Sequence, residues 1–154
     1  MTLSTVLSRA QHGIEAPLVR VETHISNGLP AFSIVGLPAA AVRESKDRVR
    51  SAIMNCHLEW PDQRLTVNLS PADLPKDGGR YDLPIALGIL IASGQIPEAA
   101  VADAEFLGEL SLTGTLQAVS GTISAAVAAS AAGHTLFLPD ANASNATAVP
   151  QSQI

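Results

Sequence analysis

The stretch at residues 83–92, LPIALGILIA, has no charge and no side chain able to hydrogen-bond. As a helix it is apolar on every face, so the fold must bury it all round. It is also about half as long as a bilayer span requires. A packed interior is therefore where it belongs. The helix is predicted over 83–93, with Gly94 as its cap. Before it lies PKDGGRYDLP, residues 75–84, rich in Gly, Pro and Asp and carrying the cations Lys76 and Arg80. Before that, RLTVNLSP alternates Leu65, Val67 and Leu69 as a half-buried strand does. A loop between strand and buried helix can cradle a phosphate, carry a nucleophile, or only reverse the chain.

The remaining pattern supplies the layers that cover this helix. Residues 17–25, PLVRVETHI, alternate with period two, and AFSIV at 31–35 follows through the turn Asn27-Gly28. Residues 5–12 add an earlier, less regular strand. After Gly36-Leu37-Pro38 a helix is expected over 39–55, with Val42, Val49 and Ile53 on one buried stripe beside Ala41, Ser45 and Ala52. Trp60-Pro61 ends that region. Residues 106–119 read as a hairpin with Thr113-Gly114 at its tip and Leu110, Leu112, Leu116 and Ala118 pointing inward. A small-residue helix starts at Ser120 and closes at Gly133, and 135–138 form a last strand. The expected architecture is an α+β domain with a mixed sheet, spanning 1–140 and without internal repeats. Residues 141–154 turn to Ala, Asn, Ser, Thr and Gln and read as a linker or truncated end.

A length of 154 residues fits one such domain, and 47% apolar against 15% charged residues excludes a disordered chain. With 3% aromatics, the core must be built from Ala, Val, Leu and Ile. A net charge of -5 gives no overall basic field for nucleic acid, so any such contact needs a local patch. Cys56 is the single cysteine, which rules out an intrachain disulfide and a thiolate metal cluster and fits a reducing compartment. The start, MTLSTVLSRAQHG, has no basic segment followed by an apolar one. The expected location is the cytoplasm, with no membrane partner.

The loop at 75–82 excludes two chemistries by its residues. A Walker phosphate loop needs G-x-x-x-x-G-K-[ST], and no such string occurs. A nucleophile needs Ser or Cys at the turn, where Arg80 and Tyr81 stand instead. Gly78-Gly79-Arg80 before a helix still allows an anion site at the helix N-terminus, against the simpler reading of a tight turn.

PKDGGRYDLPIALG at 75–88 and LGELSLTGTLQAVSG at 107–121 resemble the two signature stretches of the Lon protease domain. Pro75, Lys76, Asp77 and Gly78 match the first; Gly108, Glu109, Leu112, Gly114 and Gly121 match the second. The departures fall on the chemistry. The nucleophilic Ser aligns with Arg80, and the catalytic Lys falls at about Ala125. A longer match, AQHGIEAPLVRVETHISNGLPAFSIVGLP, AVRESKDRVRSAI and LTVNLSPADLPKDGGRYDLPIALGIL, resembles the N-terminal domain of the magnesium-chelatase-like competence proteins, the ComM/YifB family. The resemblance implies a fold shared with the Lon protease domain and with the second domain of a ribosomal small-subunit protein. It implies that this domain precedes an AAA+ ATPase module, whose cofactors are ATP and Mg2+. It further implies a parent that works as a hexameric DNA helicase on recombination intermediates in natural transformation.

Within 43–50, RESKDRVR, Arg43, Lys46 and Arg50 should share one helix face, while Glu44 and Arg48 can pair at i, i+4. The stripe reads either as a solvated face or, with Lys76 and Arg80, as a set of DNA-phosphate contacts. No aromatic platform accompanies it in the sequence. His12, His24, His57 and His134 have no third ligand at a metal-site spacing, so no metal is expected. Asp73, Asp77 and Asp82 surround the loop and read either as acid/base carboxylates or, more simply, as turn-formers, with Asp82 where a helix N-cap belongs. The expected role is that of a noncatalytic, cofactor-free domain that contacts its own ATPase module, neighbouring subunits or DNA. The alternatives are a small-ligand-binding domain and a Ser/Lys peptidase relative with its own activity.

Overall fold

The computed structural model describes residues 2–142. The strands are β1 (Thr2–Arg9), β2 (Leu18–Ser26), β3 (Ala31–Val35), β4 (Arg64–Ser70), β5 (Ala104–Phe106), β6 (Glu109–Leu110), β7 (Leu116–Gln117) and β8 (Thr135–Phe137). The helices are α1 (Ala40–Arg43), α2 (Ser45–Asn55), α3 (Asp82–Ala92) and α4 (Thr122–Ala131), with 3-10 turns at Glu98–Val101 and Asp140–Asn142. Six strands form one mixed sheet in the order β3-β4-β2-β1-β5-β8, which is the α+β architecture expected. β1 with β2 and β2 with β4 run antiparallel; the outer pairs are parallel.

Side-chain alternation sets the layers. Val19, Val21, Ile25, Leu65, Val67 and Leu69 face α2 and α3 and make the main core with Val49, Ile53, Ile85 and Ile89. Val6, Ala104 and Phe106 meet Leu83, Leu87 and Ile91 of α3 on the same face. Glu105 pairs with Leu7 and with Leu136, so these three point to the opposite face. There Leu136 packs against Ala125, Ala126 and Ala129 of α4. The sheet thus carries α2 and α3 on one side and α4 on the other, over its β5–β8 end. α3 sits close to the strands because Gly88 has no side chain: a Cβ there would lie 2.6 Å from Thr23 Oγ1, and Ser4 Oγ donates to the Gly88 carbonyl at 2.7 Å. The apolar helix is buried as the sequence requires, and Gly94 follows it at φ +80°. No helix among the described residues is long and apolar enough to cross a membrane.

Three expectations are corrected. The single helix over 39–55 is two, because Arg48 Nη2 donates to the Ala41 carbonyl at 3.2 Å, the acceptor that Ser45 N–H would use in an unbroken helix. The hairpin over 106–119 is only the short β6–β7 ladder, whereas Phe106 belongs to β5 of the main sheet. Leu110 is buried, but Leu112 and Leu116 are exposed, since the tip is tied to the end of α2 (Asn55 Nδ2 to Leu112 O, 2.7 Å) and not to the core. Asp82 caps nothing. It is the first residue of α3, and its carboxylate is buried against α2. The expected linker at 141–154 falls, from residue 143 on, outside the described residues.

Candidate functional site: the cleft before helices α3 and α4

The loop between β4 and α3 is held at both ends. Its first half pairs with the β3–α1 connection: Ala39 N–H donates to Lys76 O at 2.9 Å, and Lys76 N–H to Leu37 O at 3.4 Å. Gly36 permits this crossing, for its φ is +105° and a Cβ would stand 2.2 Å from the Leu69 carbonyl oxygen. The Lys76 side chain turns inward, 1% exposed, and donates to the carbonyls of Gly36 (2.6 Å) and Pro71. Burial pushes its pKa down, with Asp73 acting weakly in the other direction. At the turn, Asp77 Oδ1 accepts from Gly78 N–H at 2.7 Å.

The second half is held by Asp82, which is wholly buried. Its carboxylate accepts from Arg48 Nε at 2.7 Å and Nη2 at 3.2 Å, from Ser45 Oγ, and from Leu110 N–H at 3.0 Å. One side chain therefore joins α2, α3 and β6. The hydrogen bond to Asp82 raises the Arg48 pKa, against the lowering effect of burial. The expected Glu44–Arg48 pair is present but secondary, at 3.7 Å with Glu44 largely exposed.

Between these anchors Arg80 reaches back into the molecule. It is 5% exposed and donates to Arg9 O (3.4 Å), Gln11 Oε1 (3.2 Å) and the Ser120 carbonyl and hydroxyl. It therefore ties the end of β1, the following turn and the entry to α4 to the start of α3. In front of it opens a cleft of about 620 Å³, whose walls include Gln11, His12, Asp77, Tyr81, Glu109 and Ser120. Tyr81 is fully buried, and desolvation raises its phenol pKa to about 12.

The two dyad positions are plain in this setting. Arg80 is a carbonyl clamp. Ala125 is fully buried against Leu107, Ala129 and Leu136 and takes no part in the cleft wall. A guanidinium and a methyl group supply neither a nucleophile nor a base.

The five residues expected as phosphate contacts do not gather in one place. Lys76 and Arg80 are buried and spend their donors on backbone carbonyls and side-chain oxygens. Arg43, Lys46 and Arg50 lie on α1 and α2; Arg43 is exposed and donates to Pro38 O, and Arg50 is exposed. An aromatic does accompany them, contrary to the sequence reading: Arg50 sits 5.9 Å over the Trp60 ring, which meets Phe32 at 5.4 Å, beside a hollow that Lys46 also lines. Periodicity could not set this register, because Trp60 follows α2 by a loop.

A network on the other face was also missed. Glu105, fully buried, takes Arg9 Nε at 2.6 Å and Nη2 at 2.8 Å, and His134 Nδ1 lies 2.7 Å from its second oxygen. A lone acid between Ala104 and Phe106 was the only signal available. His134 is thus spoken for by a carboxylate, and among the described residues no three His, Cys, Asp or Glu side chains stand together as a metal site.

Comparison with known proteins places this arrangement. The chain is 52% identical over 149 residues to competence protein ComM of Haemophilus influenzae, which covers 97% of this chain and 29% of that protein. It is 50% identical over 143 residues to YifB of Salmonella typhimurium, covering 93% of this chain and 28% of that one. A Mycobacterium tuberculosis protein is 44% identical over 129 residues, 84% of this chain and 26% of its own. The chain therefore spans little more than a quarter of the length of these curated relatives. The model of subunit ChlI of Mg-chelatase matches residues 21–142. With a match over most of its length, the chain belongs to the family of the ChlI subunit of Mg-chelatase.

Proposed function

We propose that this chain is the noncatalytic N-terminal domain of a Mg-chelatase-like AAA+ ATPase and that it works by contact. Its partners are its own ATPase module, which brings ATP and Mg2+, and the neighbouring subunits of a hexameric ring. The parent then acts as an ATP-driven DNA helicase or branch-migration factor in natural transformation, inside the cytoplasm. The observation that carries this reading is the collinear identity with ComM over 97% of the chain, confined to 29% of that protein. The residues at the dyad positions agree with it, since Arg80 is a structural clamp and Ala125 is core.

DNA is a further partner of the ring, met by Arg43, Lys46 and Arg50. One domain with a net charge of -5 binds weakly, but several copies along one substrate multiply a weak contact. Lys76 and Arg80, buried and bonded to backbone carbonyls, are not among these DNA contacts. The test is made in the full-length parent. Removing residues 1–142 should leave ATP hydrolysis by the remaining module and abolish ring assembly or DNA unwinding. The variant R43E/K46E/R50E should lower the salt slope of DNA binding by about 3 for each engaged domain. ATP hydrolysis or peptide cleavage by the pure chain, lost on substitution of Arg80, would overturn the noncatalytic reading. An unchanged salt slope would remove DNA and leave subunit packing.

A further inference from the structure

We infer that the cleft before α3 and α4 binds one compact anionic oxygen group, a carboxylate or a single phosphate, with the Arg80 guanidinium as its counter-charge. This does not depend on the ring reading. The molecule itself supplies the comparison. The other buried arginine, Arg9, has Glu105 at 2.6 Å, and the half-buried Arg48 has Asp82 at 2.7 Å. Arg80, 5% exposed, has none at ion-pair distance among the described residues, and its acceptors are all neutral oxygens. An unpaired charge at that depth is strongly unfavourable, and arginine does not escape by losing its proton. Burial lowers its pKa with no carboxylate to oppose it.

The surroundings add positive potential. The bonds from Arg80 to Ser120 bring the starts of α3 and α4 together, and neither helix has a side-chain cap. The backbone N–H groups of Thr122, Ile123 and Ser124 have no acceptor among the described residues. The N-terminus of α4 therefore adds its dipole to the guanidinium; the first N–H groups of α3 are taken by the carbonyls of Gly79 and Gly108, and its first turn holds the buried Asp82 carboxylate. Tyr81 contributes to the same wall while packing in the main core, and its buried hydroxyl has no partner among the described residues. Gln11 Oε1 accepts from both Arg80 (3.2 Å) and Ser120 Oγ (2.9 Å), which fixes the plane of the fork.

The acids limit the charge of the ligand. Asp77 and Glu109 line the same cleft, Asp77 bonded to its own loop at 2.7 Å and Glu109 lying against Gly79. Their repulsion grows with the charge of the ligand, so it disfavours a polyphosphate or a nucleic-acid strand most and a singly charged group least. Such a group comes either from a free small anion or from a carboxylate of a protein segment.

The experiment follows backbone amides by 15N NMR on this chain at constant ionic strength, with chloride as the replaced ion. Inorganic phosphate, acetate, and a short peptide with a free or an amidated C-terminus are titrated separately. Saturable shifts at residues 78–81 and 120–124 are expected, with a Kd on the order of 1–10 mM for the simple ions. Arg80→Gln should weaken them at least about tenfold. Phosphate as the tightest probe assigns a free anion; a free-carboxylate peptide that outdoes acetate and its own amide assigns a protein segment. If Arg80→Gln does not fold, the wild-type titration decides alone. Shifts that are absent, spread over surface cations, unchanged in a folded Arg80→Gln, or stronger with tripolyphosphate overturn the assignment.

Discussion

Asp82→Ala distinguishes a helix cap from a three-way clamp. The substitution leaves three donors without their acceptor: Ser45 Oγ on a fully buried residue, the buried Leu110 N–H, and Arg48 Nε, whose Nη2 keeps the Ala41 carbonyl. Each of the first two is worth about 1–3 kcal/mol when left unsatisfied. Breaking a fully buried ion pair costs about 3–5 kcal/mol. The Arg48 side chain is 21% exposed and keeps Glu44 at 3.7 Å, so its share is smaller, about 1–2 kcal/mol. The sum is roughly 3–8 kcal/mol, a large part of an ordinary domain's stability. Asp82→Asn keeps the shape but turns one acceptor into a donor, and should lose about 2 kcal/mol. Urea unfolding followed by circular dichroism measures both, and an Asp82→Ala/Arg48→Met double variant should be clearly non-additive. A cap behaves differently: Ala would cost about 1 kcal/mol, and Asn would be nearly neutral. That second pattern would refute the clamp.

Tyr81→Phe should raise stability near neutral pH by about 1 kcal/mol, because it removes a buried hydroxyl that has no partner among the described residues. The folded phenol titrates at about 12 against an ordinary 10.0, so the unfolded chain loses its proton first. Wild-type stability is therefore intact below pH 10 and falls as pH rises towards 12, by about 2–3 kcal/mol. Unfolding curves across that window should show this loss in the wild type and not in Tyr81→Phe; equal slopes would contradict it. Gly36→Ala should destabilise by about 3 kcal/mol in urea, since its φ is positive and its Cβ would run into the Leu69 backbone at 2.2 Å. A neutral result would mean that the β3–α1 crossing is loose. Arg80→Ser with Ala125→Lys should restore no measurable peptidase activity and should lower Tm, because a lysine at 125 enters a sealed core. Efficient peptide cleavage by that variant would show a surviving active-site geometry.

Residue periodicity was enough to recover β2, β3, β4, α3 and α4 to within a few residues, because whether a side chain is buried or exposed is a local matter in a strand or helix. It failed where one long-range contact outweighed the local pattern. Arg48 takes the Ala41 carbonyl and splits the predicted helix. β1 recruits β5 through the single register Leu7–Glu105, so Phe106 leaves the predicted hairpin for the main sheet.

The candidate site divides in the same way. The absence of a Walker string, and Arg80 and Ala125 at the dyad positions, were readable from residue identity, since chemistry depends first on which atoms are present. The sequence alone also required that the helix over 83–92 be buried, because none of its faces can meet water. Apart from the local Glu44–Arg48 pair, which charges are paired was not readable. Arg9 and Glu105 are far apart in the chain, as are Arg48 and Asp82, and both pairs form only when strands and helices stack. Asp82 looked like a cap and Lys76 like a surface cation because sequence position shows neighbours in the chain, whereas the tertiary fold chooses partners across it. Only that fold decided that Arg80 would be buried at the edge of a cleft with no carboxylate at ion-pair distance among the described residues.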